Sequence, residues 1–308
     1  MAAEPWVPSE AGRPIWSLAS GYASARRRRH PLWMLEAYSD ESGIDQGSVL
    51  VLAGLLSTAE RWALFNEEWD EALGHLDARK RGGPRRLKMS ASMSARARGT
   101  ESRALWDERL SRFRSIIARH AMMGVGCAVE LDSFAELFGC GSTYALDHAY
   151  HIAFAGIIGA TVRHHHTLGI TDKIDFVFDE QNAHFDVPND AFRKLWKTSP
   201  ALMKCVAGSP RSAVDDEVLP LQAAEWLVWQ IRRTLASSQD DPLETADLFI
   251  TTDGTHPTAL QSLPINVDIW DRSKLTELRD DLVHERDVAL AAVDSPVEIR
   301  ERLIASKF

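Results

Sequence analysis

Three acidic residues lie where an apolar segment ends or passes through the protein interior. Asp40 follows one apolar run, Asp179 ends another, and Glu225 lies within an apolar helix. A carboxylate is costly to bury unless it is paired or bound to a metal ion. Carboxylate oxygens suit Mg²⁺ and Mn²⁺, and two such ions about 4 Å apart can hydrolyse a phosphodiester. These residues therefore predict a Mg²⁺ or Mn²⁺ site with phosphodiester hydrolysis as its chemistry.

Each of the three residues also has a purely structural interpretation. Asp40 opens the segment Asp-Glu-Ser-Gly, whose residues favour a hairpin turn. Asp179 can simply end a strand, and Glu225 can be a partly exposed helix residue. The sequence does not show whether the three side chains meet.

Apolar periodicity predicts the elements that must position these residues. The predicted strands cover residues 33–39, 48–56, 121–131 and 174–179, and the predicted helices cover 58–75, 101–120, 143–166, 190–197 and 220–236. The first two strands are close enough in sequence to form an antiparallel hairpin. Strands that come first, followed by strands alternating with helices, predict an α/β domain on a mixed sheet flanked by helices.

Three segments resemble the motifs of a prokaryotic family, the domain of unknown function numbered 3800, which is assigned to the ribonuclease H-like superfamily. Residues 38–43 (YSDESG) resemble its opening motif, residues 176–180 (FVFDE) its middle acidic strand, and residues 221–225 (LQAAE) its late helix motif. They occur in the family's order and cover roughly residues 33–238. The helix motif departs from the family because Glu225 stands where the family has Asp.

The resemblance implies a ribonuclease H-like sheet whose first strand is central, and a metal-dependent nuclease. Asp40 would then bridge two ions, with Asp179 from a neighbouring strand and Glu225 from a late helix completing the catalytic cluster. Asp216 is the candidate for a further metal ligand. Candidates for supporting positions around the metal are Glu41, Ser42, Glu180 and Gln222.

A basic segment favours a polyanionic substrate. Residues 78–100 contain eight basic residues and no acidic one. Lysine and arginine neutralise phosphates and give sequence-independent affinity. The residues predicted to bind nucleic acid, DNA or RNA, are Arg79, Lys80, Arg81, Arg85, Arg86 and Lys88. The alternative is a solvated surface loop.

Composition and charge set the remaining expectations. The chain has 308 residues, a net charge of −9, and only three cysteines, which favours reduced thiols and a cytoplasmic location without a membrane span. We expect residues 1–30 to form a flexible basic tail, residues 31–238 the ribonuclease H-like domain, and residues 239–308 an extension packed on it. That extension should contain short strands at 247–252 and 265–270 and a helix at 273–293.

Two other functions remain open from the sequence. One is a catalytically inactive, nuclease-like module that binds nucleic acid, a protein partner or a second copy of the chain. The other is a hydrolase of small phosphate esters, which would leave the basic segment without a role.

Overall fold

The computed structural model describes residues 9–20, 27–39, 49–77, 87, 103–139, 142–165, 172–179, 186–200, 202–236, 263 and 265–291. Its strands are β1 (Pro31–Ser39), β2 (Val49–Thr58), β3 (Met123–Glu130), β4 (Asp175–Asp179), β5 (Arg211–Ala213) and β6 (Ile265–Trp270). Its helices are α1 (Arg13–Leu18), α2 (Ala59–Asp77), α3 (Arg103–His120), α4 (Leu131–Phe138), α5 (Ser142–His165), α6 (Asp186–Thr198), α7 (Pro220–Ala236) and α8 (Arg272–Ala291). A 3₁₀ turn, Leu202–Cys205, follows α6.

The strands form one mixed sheet in the order β5-β4-β1-β2-β3-β6. β1 pairs with β2 in the antiparallel sense, as the short spacing predicted, and β2 pairs with β3 in the same way. β4 runs parallel to β1, β5 parallel to β4, and β6 parallel to β3. The predicted α/β fold on a mixed sheet is confirmed, and β1 lies inside the sheet with a neighbour on each side.

Helices cover both faces of the sheet. Successive strand residues point to opposite faces, so each strand contributes side chains to two cores. Leu32 and Met34 of β1 pack into a core with α1, α2, α3 and α7, whereas Trp33 packs into a second core with α4, α5 and α6. Leu275 brings α8 into that second core. Burial on both faces explains why β2 and β3 are almost continuous apolar runs and do not alternate with polar residues.

Close approach between α7 and the sheet depends on a glycine of β3. A Cβ atom on Gly126 would overlap Cδ1 of Ile231, which lies near the end of α7. The absence of a side chain at this position lets α7 lie directly on the sheet. Since α7 also lies over β1 and β2, this contact fixes the helix that carries Gln222 and Glu225.

The N-terminal region departs from the prediction of a flexible tail. In the described residues 9–20, α1 packs on α2, and both Ile15 and Trp16 are buried. Nδ2 of Asn66 on α2 donates to the carbonyl of Ala11 at 2.7 Å. The prediction was wrong for these residues because a helix of six residues is too short to produce a recognisable period.

The C-terminal elements match the prediction closely. β6 and α8 occupy the positions expected for the strand at 265–270 and the helix at 273–293. The strand expected at 247–252 lies outside the described residues. The sequence did not predict α4, the 3₁₀ turn or β5, which is only three residues long.

Among the described residues, no helix combines the length and the apolar character needed to cross a bilayer.

Candidate functional site

Asp179 is a buried carboxylate at the carboxyl edge of the parallel strands. It is the last residue of β4 and is only 6% exposed. On one side it is paired in register with Ala213 of β5. On the other side lies β1, which runs in the same direction as β4. The structure therefore places this predicted residue between two strands that end at the same edge of the sheet.

The register between β1 and β4 adds a residue that the sequence reasoning missed. Leu35 of β1 is paired with Phe178 of β4, and Glu36 and Asp179 are the residues that follow this last pair on the two strands. Asp40 follows four residues later, about 13 Å further along an extended chain. A parallel register cannot be read from one sequence, which is why Glu36 was not among the predicted site residues.

Several predicted residues at this edge lie outside the described residues. These are Asp40, Glu41, Ser42 and Glu180. The strand before Asp40 is described as far as Ser39, which ends β1. The three predicted metal ligands are therefore located by their elements for Asp179 and Glu225, and by the preceding strand for Asp40.

Glu225 lies on α7 and is half-buried. Its chain neighbours Ala224 and Trp226 are buried in the interior. The helix lies over β1 and β2. Glu225 is thus an acidic residue on a helix that crosses the central strands, and its side chain keeps some access to solvent.

The turn between β5 and α7 contains two adjacent aspartates with opposite environments. Asp216, the predicted further metal ligand, is exposed, whereas Asp215 is 2% exposed. The carbonyl oxygen of Asp215 also accepts a hydrogen bond from Nε2 of Gln222 at 3.0 Å. The buried aspartate of this turn is therefore Asp215, and the role of Asp216 as a further metal ligand stays a prediction.

Gln222 is fully buried, and its side-chain amide is occupied by contacts within the protein. Oε1 accepts a hydrogen bond from Nε1 of Trp69 at 3.0 Å and another from the backbone N–H of Leu87 at 3.2 Å. Together with the bond to Asp215, these contacts join α7, α2, the β5–α7 turn and the basic segment. Gln222 is thus placed to hold these parts together within the core.

Leu87 is the one described residue of the basic segment, and it is buried. The segment is therefore anchored to the core at this point through Gln222. The predicted nucleic-acid-binding residues lie outside the described residues: Arg79, Lys80, Arg81, Arg85, Arg86 and Lys88.

A second buried polar cluster lies at the opposite, amino edge of the parallel strands. Nε2 of His30 lies 2.8 Å from Oδ2 of Asp175, and both residues are almost fully buried. The guanidinium of Arg211 lies 3.3 Å from the same oxygen and donates to the carbonyl of Leu18 in α1. This cluster ties the start of β4 and of β5 to the N-terminal region.

His120 at the end of α3 has a pKa lowered from its ordinary value, mainly because burial disfavours the charged imidazolium. The nearby carboxylate of Glu68, at 3.1 Å, acts in the opposite direction. Burial also raises the pKa of the Cys127 thiol in β3. Neither group lies among the predicted site residues.

Among the residues that the structure describes, no three histidine, cysteine or acidic side chains are grouped closely enough to hold a metal ion. Asp40 and the side chain of Glu36 are not among them. Among the described residues, the carboxyl edge thus provides two buried aspartates, Asp179 and Asp215, and the strand next to Asp179 leads to Asp40.

No protein-family model matches the chain, and neither does any curated protein or solved structure. The family resemblance of the three motifs therefore stays a prediction.

Proposed function

We propose that the protein is a metal-dependent nuclease that hydrolyses nucleic-acid phosphodiesters at the carboxyl edge of β1 and β4. Asp40, Asp179 and Glu225 would hold Mg²⁺ or Mn²⁺, with the Asp215–Asp216 turn next to them. Since β1 continues to Ser39, beyond the level of Asp179, this arrangement requires the chain after Ser39 to fold back towards Asp179. The sheet would then be ribonuclease H-like, with its first strand inside the sheet.

The observation that carries this proposal is the position of Asp179. Its carboxylate is 6% exposed at the end of a strand that runs parallel to β1. Parallel strands end at the same edge, so the residues that follow β1 and β4 are brought to one side of the sheet. Buried carboxylates at such an edge fit hard divalent cations, which take oxygen ligands.

The chain's own residues would contribute binding and orientation. Asp179 sits on a buried strand, which limits its movement, and Glu225 extends from a helix fixed against the sheet at Gly126. When bound, Mg²⁺ or Mn²⁺ supplies Lewis-acid polarisation of the phosphoryl oxygen and a more acidic water. Glu225 has one methylene more than aspartate, so it reaches further from the helix and must fold back to bind at the same point.

The basic segment supports a nucleic-acid substrate. Its lysines and arginines provide a polyanion-binding capacity that the overall charge of −9 does not. The hydrogen bond from Leu87 to Gln222 attaches this segment to α7, the helix that also carries Glu225. A substrate held by the segment would therefore be held near the proposed site.

The test is cleavage of labelled single- and double-stranded DNA and RNA with Mg²⁺, Mn²⁺ or EDTA. Wild type is compared with Asp40→Asn, Asp179→Asn, Glu225→Gln and Glu36→Gln. Asp190→Asn, which changes an exposed aspartate of α6, is the matched control. We expect metal-dependent cleavage that is lost in the Asp40 and Asp179 variants and kept in the control.

A second measurement separates catalysis from metal binding. Mg²⁺ or Mn²⁺ should raise the melting temperature of wild type but not of Asp179→Asn. Stabilisation by metal without cleavage of any substrate would favour the nuclease-like binding module. Cleavage that survives both Asp40→Asn and Asp179→Asn would overturn the proposed site.

A further inference from the structure

A basic surface with an exposed tryptophan lies at the C-terminal end of α6. Residues 191–213 contain five basic residues and no acidic one, although the whole chain has a net charge of −9. Trp196 near the end of α6 is 48% exposed. A single exposed apolar residue is common on protein surfaces, so the feature that makes this site a candidate is the combination of the indole with neighbouring cations.

Trp196 is held in place by its own helix. Its ring centroid lies 5.7 Å from that of Phe192, one turn earlier. Phe192 is itself buried in the core beside Leu195. The indole is therefore in tilted contact with a buried aromatic ring while the side chain remains open to solvent.

The chain places three lysines around this end of the helix. Lys197 is next to Trp196 in α6, and Lys204 lies in the 3₁₀ turn that follows the helix. Lys173 is brought beside this turn because the N–H of the next residue, Ile174, donates to the carbonyl of Cys205 at 2.8 Å. Within the described chain none of the three lysines forms an ion pair. Arg193, in contrast, is paired with Asp190.

We propose that this Trp196 surface, formed by Trp196, Lys173, Lys197 and Lys204, binds single-stranded nucleic acid. Bases that are not paired can stack on an exposed indole, and lysines can neutralise the adjoining phosphates. In a duplex the bases are already stacked on one another, so stacking on Trp196 would add little to the binding affinity for a duplex. The inference deepens the proposed function by naming the class of strand, and it rests on that function for its substrate.

The surface and the proposed site lie at opposite ends of β4 and on opposite faces of the sheet. Lys173 precedes β4 and Asp179 ends it, so six residues of extended chain separate them by about 20 Å. Phe178 packs on the side of α6, so the next residue, Asp179, faces the side of α7. A single strand bound at both places would therefore pass around the β5 edge of the sheet.

The test measures binding separately from cleavage, by fluorescence anisotropy of labelled single-stranded and duplex oligonucleotides in EDTA. We expect Trp196→Ala to weaken single-strand binding roughly 5- to 100-fold and to change duplex binding much less. Trp196→Phe should keep most of the affinity because it retains an aromatic ring. Leu64→Ala, which removes an exposed apolar side chain of α2, is the matched control and should bind normally.

The salt dependence of binding tests the lysines separately from Trp196. Lys197→Gln combined with Lys204→Gln should lower the slope of log affinity against log salt by about 1.4 units, because each phosphate contact contributes about 0.7. Arg112→Gln combined with Arg279→Gln removes two cations elsewhere and is the control. An unchanged slope in the lysine variant would overturn the assignment.

The outcomes distinguish this inference from the nuclease itself. Wild-type cleavage together with unchanged single-strand affinity in Trp196→Ala would leave the nuclease and remove the Trp196 surface. Weakened binding in the variants without cleavage of any substrate would keep the surface and remove the nuclease. A wild type that binds no single strand in EDTA at low salt, or an equal loss of duplex binding in Trp196→Ala, would also refute the inference.

Discussion

Trp69 and Gln222 are joined by a buried hydrogen bond of 3.0 Å, from the indole N–H to the side-chain oxygen. The bond connects α2 to α7 across the core. The same oxygen accepts the N–H of Leu87, so one glutamine fixes two helices and the basic segment. A substitution at Gln222 should therefore affect both the stability of the protein and the position of the basic segment.

Replacing Gln222 with leucine should lower the free energy of unfolding by about 2–4 kcal/mol, because two buried N–H donors lose their acceptor. Urea denaturation measures the change. Trypsin should also cleave faster at Arg86 and Lys88, the basic residues on either side of Leu87.

The coupling between the two residues provides the check on this prediction. Trp69→Phe alone should be destabilising, and the double variant should be less destabilised than the sum of the two single variants. Additive effects would contradict the proposed role of the hydrogen bond.

Asp179 and Asp216 should respond differently to the same substitution. Asp179→Asn should abolish the increase in melting temperature caused by Mn²⁺, because Asp179 is buried at the proposed site. Asp216→Asn should reduce it less, because Asp216 is exposed. Differential scanning fluorimetry with and without Mn²⁺ measures both, and equal effects would contradict the distinction.

Asp175 should be important for stability because its carboxylate contacts the side chains of both His30 and Arg211 at the amino edge of the sheet. Asp175→Ala leaves His30 and Arg211 without their carboxylate and should cost about 3 kcal/mol, at the lower end for a broken buried pair, since Arg211 is partly exposed. Asp190→Ala breaks an exposed pair with Arg193 and should change the free energy of unfolding by less than about 1 kcal/mol. Chemical denaturation of the two variants tests the contrast, and comparable losses would refute it.

His120 should make the protein less stable in mild acid. Its folded pKa lies below the ordinary value, near 6.5, that it regains on unfolding. The unfolded chain therefore binds a proton that the folded chain does not, so this contribution to stability is complete above about pH 7. It is lost as the pH falls through 6.5 towards the folded pKa.

The measurement compares the free energy of unfolding of wild type and His120→Gln between pH 8 and pH 5. The variant should lose less stability than wild type over this range. His284→Gln, which removes an exposed histidine of α8, is the control. Parallel curves for wild type and His120→Gln would contradict the assignment.

The sequence predicted the long elements of the fold because their apolar residues repeat over several turns or along a whole strand. The predicted bounds of α2 and α7 agree with the observed bounds within about two residues. The sequence did not predict α1 or β5, whose positions depend on contacts made by distant residues such as Asn66 and Asp175. Short segments have too little pattern of their own to be recognised.

The candidate site was predictable only in part. Asp179 was correctly placed at the end of a strand, but its burial and its register with β1 come from tertiary pairing. For the same reason the sequence did not distinguish buried Asp215 from exposed Asp216, and it did not indicate Glu36. The metal-binding role of Asp40 stays a prediction for the variants described above to test.

The pairing of β6 with β3 has a consequence for the order in which the chain is made. β3 ends at Glu130, whereas its partner β6 begins at Ile265, so more than 130 residues are synthesised between the two strands. Until β6 leaves the ribosome, the apolar edge of β3 is open to pairing with other chains. A chain that stops at residue 238 would keep this edge permanently and should aggregate. The C-terminal extension is therefore needed to cover the apolar edge of β3, and β6, which carries Asn266 and Asp268, becomes the edge strand in its place.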